Sequence, residues 1–259
     1  MPKKNSNLTL ESTSTDSHFA LAADADFAAL IAPLGTLPGG PYDYAFVSTS
    51  ANAAGNIKIG GTLAPLDGII ATGNGKDNID LSASTGANLV IAGNGVDTVI
   101  GGAGADNISG DNGKDTLGGG AGNDMIDGGS AKDSITGGTD TGVFTVTVVP
   151  NPIDPTLPPT TMTTFTVGDV LTGGEAKDTF HYTFGDGVDE ITDFRVGQDK
   201  IVFHGIDETD LVELSGIPGS TSLVIGISLL GVVQANSAIQ VDGVDSLDQL
   251  LNSHSLLFV

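Results

Sequence analysis

AGNGVDTVI, GGAGADNIS, GDNGKDTLG, GGAGNDMID and GGSAKDSIT follow one another without a gap from Ala92 to Thr136. Asp fills the sixth place of every unit (Asp97, Asp106, Asp115, Asp124, Asp133), and an aliphatic fills the eighth (Val99, Ile108, Leu117, Ile126, Ile135). A solvated linker has no reason to keep an aliphatic at every ninth residue, so the stretch is a folded repeat whose period outranks local propensity in choosing the fold. Glycine enters positive φ at little cost, so the glycine-rich half of each unit predicts a tight turn. The half around the aliphatic predicts a short strand with that side chain inward.

Two units then close one coil, and units two apart stack in register about 4.8 Å from each other. Asp97, Asp115 and Asp133 fall in one column, Asp106 and Asp124 in another. Carboxylates stacked at that spacing repel unless a cation lies between them. Turn carbonyls around Gly93, Gly95, Gly102, Gly104, Gly113, Gly120, Gly122 and Gly129 can add oxygen ligands, and a flexible all-oxygen set suits calcium better than magnesium or zinc. Several Ca2+ ions are therefore expected, with the repeat disordered until it binds them.

Working outward, TGNGKDNID (Thr72 to Asp80) is an earlier unit with Asp77 and Ile79 in the same slots, followed by LSASTGANLVI, a degraded unit lengthened by two. GGEAKDTFH (Gly173 to His181) is a later one, which adds Asp178. Between them, 139–172 reads as an inserted β-hairpin, with β-rich runs on either side of the proline-rich NPIDPTLPP. Upstream, 1–17 is polar and reads as a disordered leader. In 18–71, Phe19, Ala23, Phe27, Leu30 and Ile31 fall near one helical face, which predicts an N-terminal helix with Asp16 or Ser17 as its cap and Pro33 as its stop; short strands follow and cap the roll. The roll itself is assigned to 72–138, and 173–259 to the last repeat with a mostly-β closing domain. That domain includes one short helix after Ser246, carried by Leu247, Leu250 and Leu251.

Nine basic residues against 32 acidic ones give a formal net charge of -23, which argues against a nucleic-acid partner. The chain has no cysteine, hence no disulfide framework and no thiolate metal site. No apolar run follows Lys3 and Lys4, and no window is long enough for a membrane span, so neither an N-terminal signal peptide nor a transmembrane segment is expected. The four histidines (His18, His181, His204, His254) are scattered, and HExxH, G-x-S-x-G and the EF-hand pattern are missing. Asp186, Asp189, Glu190, Asp193 and Asp199 read as turn and surface residues balanced by Arg195 and Lys200; a catalytic acid pair or an extra calcium site are the other readings. A non-enzymatic protein is expected.

These units resemble the G-G-x-G-x-D-x-U-x nonapeptides of RTX calcium-binding proteins, over Thr72 to Thr136 and again at Gly173 to His181. The stretch Gly185 to Phe203 is similar to the C-terminal domain that follows such repeats in serralysin-type proteins. The sequence departs from the pattern at Asp111, Ala131 and Ala176, which stand where it has glycine, and at Thr72 and Ala92. The resemblance implies an all-β, right-handed parallel β-roll filled with calcium. It also implies export by type I secretion machinery that reads a C-terminal signal, and folding outside the cell. The tail SHSLLFV has the apolar end of such signals. Two roles then compete: a self-assembling homo-oligomer or polymer of a surface layer, matrix or filament, and a binding module for a cell-surface glycan or similar ligand.

Overall fold

The repeat strands are short, several of them three residues long, because only the middle side chain has anywhere to go. In Asn107–Ser109 and Met125–Asp127, Ile108 and Ile126 are buried between polar or exposed neighbours, and the glycine turn ends the strand on either side. The structure, a computed structural model, describes residues 9–12, 17–21, 42–48, 56–60, 67–149, 160–214, 222–229 and 232–259.

The strands stack into a parallel β-solenoid of about six turns with two long ladders. One ladder carries inward Ile57, Ile79, Val99, Leu117, Ile135, Phe180, Ile201 and Leu256 in direct register. The other carries Phe46, Ile70, Val90, Ile108, Ile126, Leu171, Ile191 and Val241. All of these are buried in one core. Toward the C-terminal end the core changes from aliphatic to aromatic: Phe180 packs on Phe194, Tyr182 on Phe203, and Phe203 stacks on Phe258 with centroids 5.7 Å apart.

Both ladders continue past the repeats. Gly187–Ile191, Lys200–His204, Leu256–Phe258 and the C-terminal half of Val232–Val241 each add a parallel strand to the stack, so the closing segment extends the roll. The helix expected after Ser246 is present at Leu247–Asn252, with the Ser246 side chain accepting the Gln249 amide as its N-cap. The insertion is an antiparallel pair, Val143–Val149 with Thr160–Thr166, and 150–159 lie outside the described residues.

At the N-terminal end the expectations change. Ser17–Leu21, read as the start of a helix, is a strand antiparallel to Tyr44–Ser48, and the remainder of the expected helix lies outside the described residues. Thr9–Ser12, read as part of a disordered leader, pairs antiparallel with Asn56–Gly60. In both places the open edge of a first coil offers unpaired N–H and C=O groups, and pairing with them outweighs local helix propensity. Among the described residues no helix is long and apolar enough to cross a membrane.

Candidate metal centre

The first glycine of a unit and its own aspartate face each other. A Cβ at Gly101 would lie 2.7 Å from Asp106 Oδ2, one at Gly110 2.7 Å from Asp115 Oδ2, and one at Gly128 2.8 Å from Asp133 Oδ2. Each carboxylate therefore folds back over its own turn, where only glycine leaves it room. Its Oδ1 is then claimed by the coil before it. Asp77 N–H donates to Asp97, Asp97 to Asp115 and Asp115 to Asp133 at 2.8 Å, Asp133 to Asp178 at 2.9 Å and Asp178 to Asp199 at 3.0 Å. The second column repeats this at 2.8 Å from Asp106 to Asp124 and from Asp124 to Asp169.

With Oδ1 engaged, Oδ2 of Asp97, Asp115, Asp124, Asp133 and Asp169 is buried with no hydrogen-bond partner among the described residues. A buried ionised oxygen left in that state costs several kcal/mol, roughly, unless a cation meets it. Burial is the main reason these groups titrate high. It pushes Asp124 up to about 8, Asp133 and Asp169 to about 7, and Asp97 to about 6, with neighbouring aspartates adding to the rise. The donor set consists only of hard oxygens, which fits calcium. Asp97, Asp115, Asp124, Asp133 and Asp169 would hold it, and it would supply the positive charge the columns lack.

Two expected ligands differ from the rest. Asp106 has both oxygens engaged: Oδ1 accepts from Asn88 N and Nδ2, and Oδ2 from Gly102 N at 2.7 Å. Asp178 Oδ2 meets the Arg195 guanidinium at 3.1 Å, while Arg195 Nε reaches Asp199 Oδ2 at 3.3 Å, so a side-chain cation already stands at the end of that column. Asp77 is buried at the other end of the same column.

The eight turn glycines stack over carbonyls of the coil before. A Cβ on Gly113, at φ 138°, would overlap the Gly95 carbonyl oxygen, and one on Gly120 the Gly102 oxygen. Gly93, Gly95, Gly102, Gly104, Gly122 and Gly129 sit in the same way over Gly73, Gly75, Ser84, Gly86, Gly104 and Asp111. The Gly102 and Gly129 carbonyls each accept an amide, from Ala121 and Glu175, which leaves one lone pair apiece for any further ligand. On the outer side of the turns, Asn112 donates to Asn94 and Asn94 to Asn74, an amide ladder along the stack.

Sequence reasoning missed Asp169, inside the expected hairpin. Asp189 and Asp199, expected first as surface residues of the closing segment, are buried; all three are at most 1 % exposed. Asp169 is the sixth-place aspartate of an interrupted unit. Its column step is 45 residues where the repeat's is 18, so 27 extra residues separate Gly137–Asp140 from Gly168–Thr172. Removing 141–167 would leave GGTD joined to GDVLT, a nonapeptide with Asp and Leu in their places; that was the readable signal. Glu190 is half-buried and takes Gln240 Nε2, Asp193 caps the Gly173 and Gly174 amides at 2.8 Å, and Asp186 accepts from Thr183 N.

Residues 82–117 and 109–143 each match the family model of the RTX calcium-binding nonapeptide repeat (four copies). No curated protein matches the chain.

Proposed function

We propose that the chain is a calcium-binding β-roll protein of the RTX type, that it is secreted and folds on calcium outside the cell, and that it serves there as a structural, self-assembling component of a surface layer, matrix or filament. The row of buried, unpartnered carboxylate oxygens carries the calcium-folding part of this reading. Export by type I machinery is supported by the repeat family and by the apolar tail. Self-association is supported by the last strand of the nine-stranded sheet, Leu256–Phe258, which pairs only with Lys200–His204 among the described residues and has Leu257 39 % and Val259 69 % exposed. An open strand edge with apolar side chains is a template for another strand. The role proposed is non-catalytic.

A second reading, a calcium-dependent adhesin holding a cell-surface glycan, is favoured by the hairpin, which forms a separate two-stranded sheet outside both ladders. Light scattering and electron microscopy of the full chain in chelator and in millimolar calcium separate the two. Calcium-driven polymers that Leu257→Lys abolishes support assembly. A calcium-bound monomer retained on a glycan array supports the adhesin and overturns the structural role.

A further inference from the structure

Where the hairpin leaves the roll, the fourth place of the interrupted unit holds Asp140; the other units have Gly75, Gly95, Gly104, Gly113, Gly122, Ala131 or Ala176 there. The Asp140 carboxylate lies in a corner made by glycines: Gly142 N–H donates to its Oδ1, and a Cβ at Gly168 or Gly187 would overlap it. Gly142 and Gly168 are the two feet of the insertion, one residue before Val143–Val149 and two after Thr160–Thr166. Asp169 and Asp189 close the corner from the neighbouring ladder. One oxygen from each of the three aspartates lies within 4.8 Å of the other two. Asp169 is 0 % and Asp189 1 % exposed, and Asp140 Oδ2, Asp169 Oδ2 and Asp189 Oδ1 have no hydrogen-bond partner among the described residues.

We propose that Asp140 and Asp189 join Asp169, the last repeat ligand of its column, in holding a calcium ion at the root of the hairpin, and that this ion pins the insertion to the roll. The site rests on the calcium-binding reading above but differs from the repeat sites in its third carboxylate, contributed by a place that the repeat reserves for a small residue. Three ionised oxygens at this separation require either a cation or shared protons. An all-carboxylate donor set selects a hard divalent ion. The ion touches one residue at the exit of the hairpin and one at its return, so its binding is linked to ordering of both feet.

The test uses the full chain. Wild type and Asp140→Asn are equilibrated with calcium, and bound metal is counted after dialysis while circular dichroism follows the roll. Asp140→Asn is expected to bind one ion fewer, to keep the calcium-induced dichroism change, and to exchange the amides of Val143–Val149 and Thr160–Thr166 about tenfold faster. Equal counts and equal exchange overturn the site and assign the cluster to shared protons. Wild type that binds no calcium overturns the calcium-folding reading as well. A second arm leaves the carboxylates intact. Tyr182, one of three tyrosines in a chain without tryptophan, donates at 2.8 Å to the Gly187 carbonyl beside Asp140. Tyr182→Phe is expected to lose part of the tyrosine-sensitised emission of bound terbium, and unchanged emission overturns the site.

Discussion

Asp111, Ala131 and Ala176 hold φ of 66°, 82° and 84°, the left-handed conformation that glycine supplies elsewhere in the repeat. A side chain there costs roughly 1 to 2 kcal/mol, so the stack enforces a turn geometry that these residues do not favour alone. Ala131→Gly is expected to stabilise the calcium-loaded chain by up to about 1 kcal/mol, after the larger entropy of the unfolded glycine is subtracted, and to raise Tm by roughly 2 to 4 °C in a thermal melt. Protonation is the second effect at this scale. Asp97, Asp133 and Asp124 are raised from the ordinary 3.8 to about 6, 7 and 8. Between those limits the folded metal-free chain holds protons that the unfolded chain has released, so this contribution to stability is fully present below about 4 and is lost as pH climbs through 6 to 8. In chelator, circular dichroism should therefore show more β-structure at pH 5 than at pH 8. Calcium added near pH 7 should release protons into a weakly buffered solution, because it takes the place they held.

At the scale of elements, the repeat strands were readable because one inward aliphatic and one aspartate recur at fixed places, and Ile108 or Asp115 has no other role. Asp169 was hidden because its unit is split, and period detection needs continuity. Ser17–Leu21 was misread for a different reason. Its neighbours have a helical spacing of apolar residues, and the partner that makes it a strand, Tyr44–Ser48, lies too far along the chain for a local pattern to show. The strands after Thr183 lost the nine-residue rhythm but kept the column, since Ile201 sits on Phe180 and Ile191 on Leu171 despite unequal connections. Loop length costs little once the ends are held, which is why excursions of different size are tolerated. Excision of 141–167 should restore a continuous nonapeptide, and the calcium-induced dichroism change should survive it. A deletion variant that stays unstructured in millimolar calcium would show that the insertion is needed for the stack.

For the whole molecule, a formal net charge of -23 and columns of buried carboxylates act in the same direction. Without metal, repulsion favours the open chain; with it, the same groups bind the coils together. Small-angle scattering should register a fall in the radius of gyration from roughly 55 Å in chelator toward roughly 20 Å in calcium, the unfolded and compact values for a chain of this length. An unchanged radius would mean the roll forms without its ions.

Arg195 gives that transition a direction. Along the Asp77 to Asp199 column each Oδ1 takes the amide of the preceding coil, so a coil already in place offers an oriented acceptor to the one before it. At the C-terminal end of the Asp77 to Asp199 column the cation is a guanidinium tethered to the chain, which cannot diffuse away and needs no supply from outside. It meets Asp178 and Asp199 together, so this pair of carboxylates has its counter-charge without metal. Arg195→Gln should raise the calcium concentration at mid-transition several-fold and flatten the titration, measured by circular dichroism. The coils would then have to begin from a point that no residue marks.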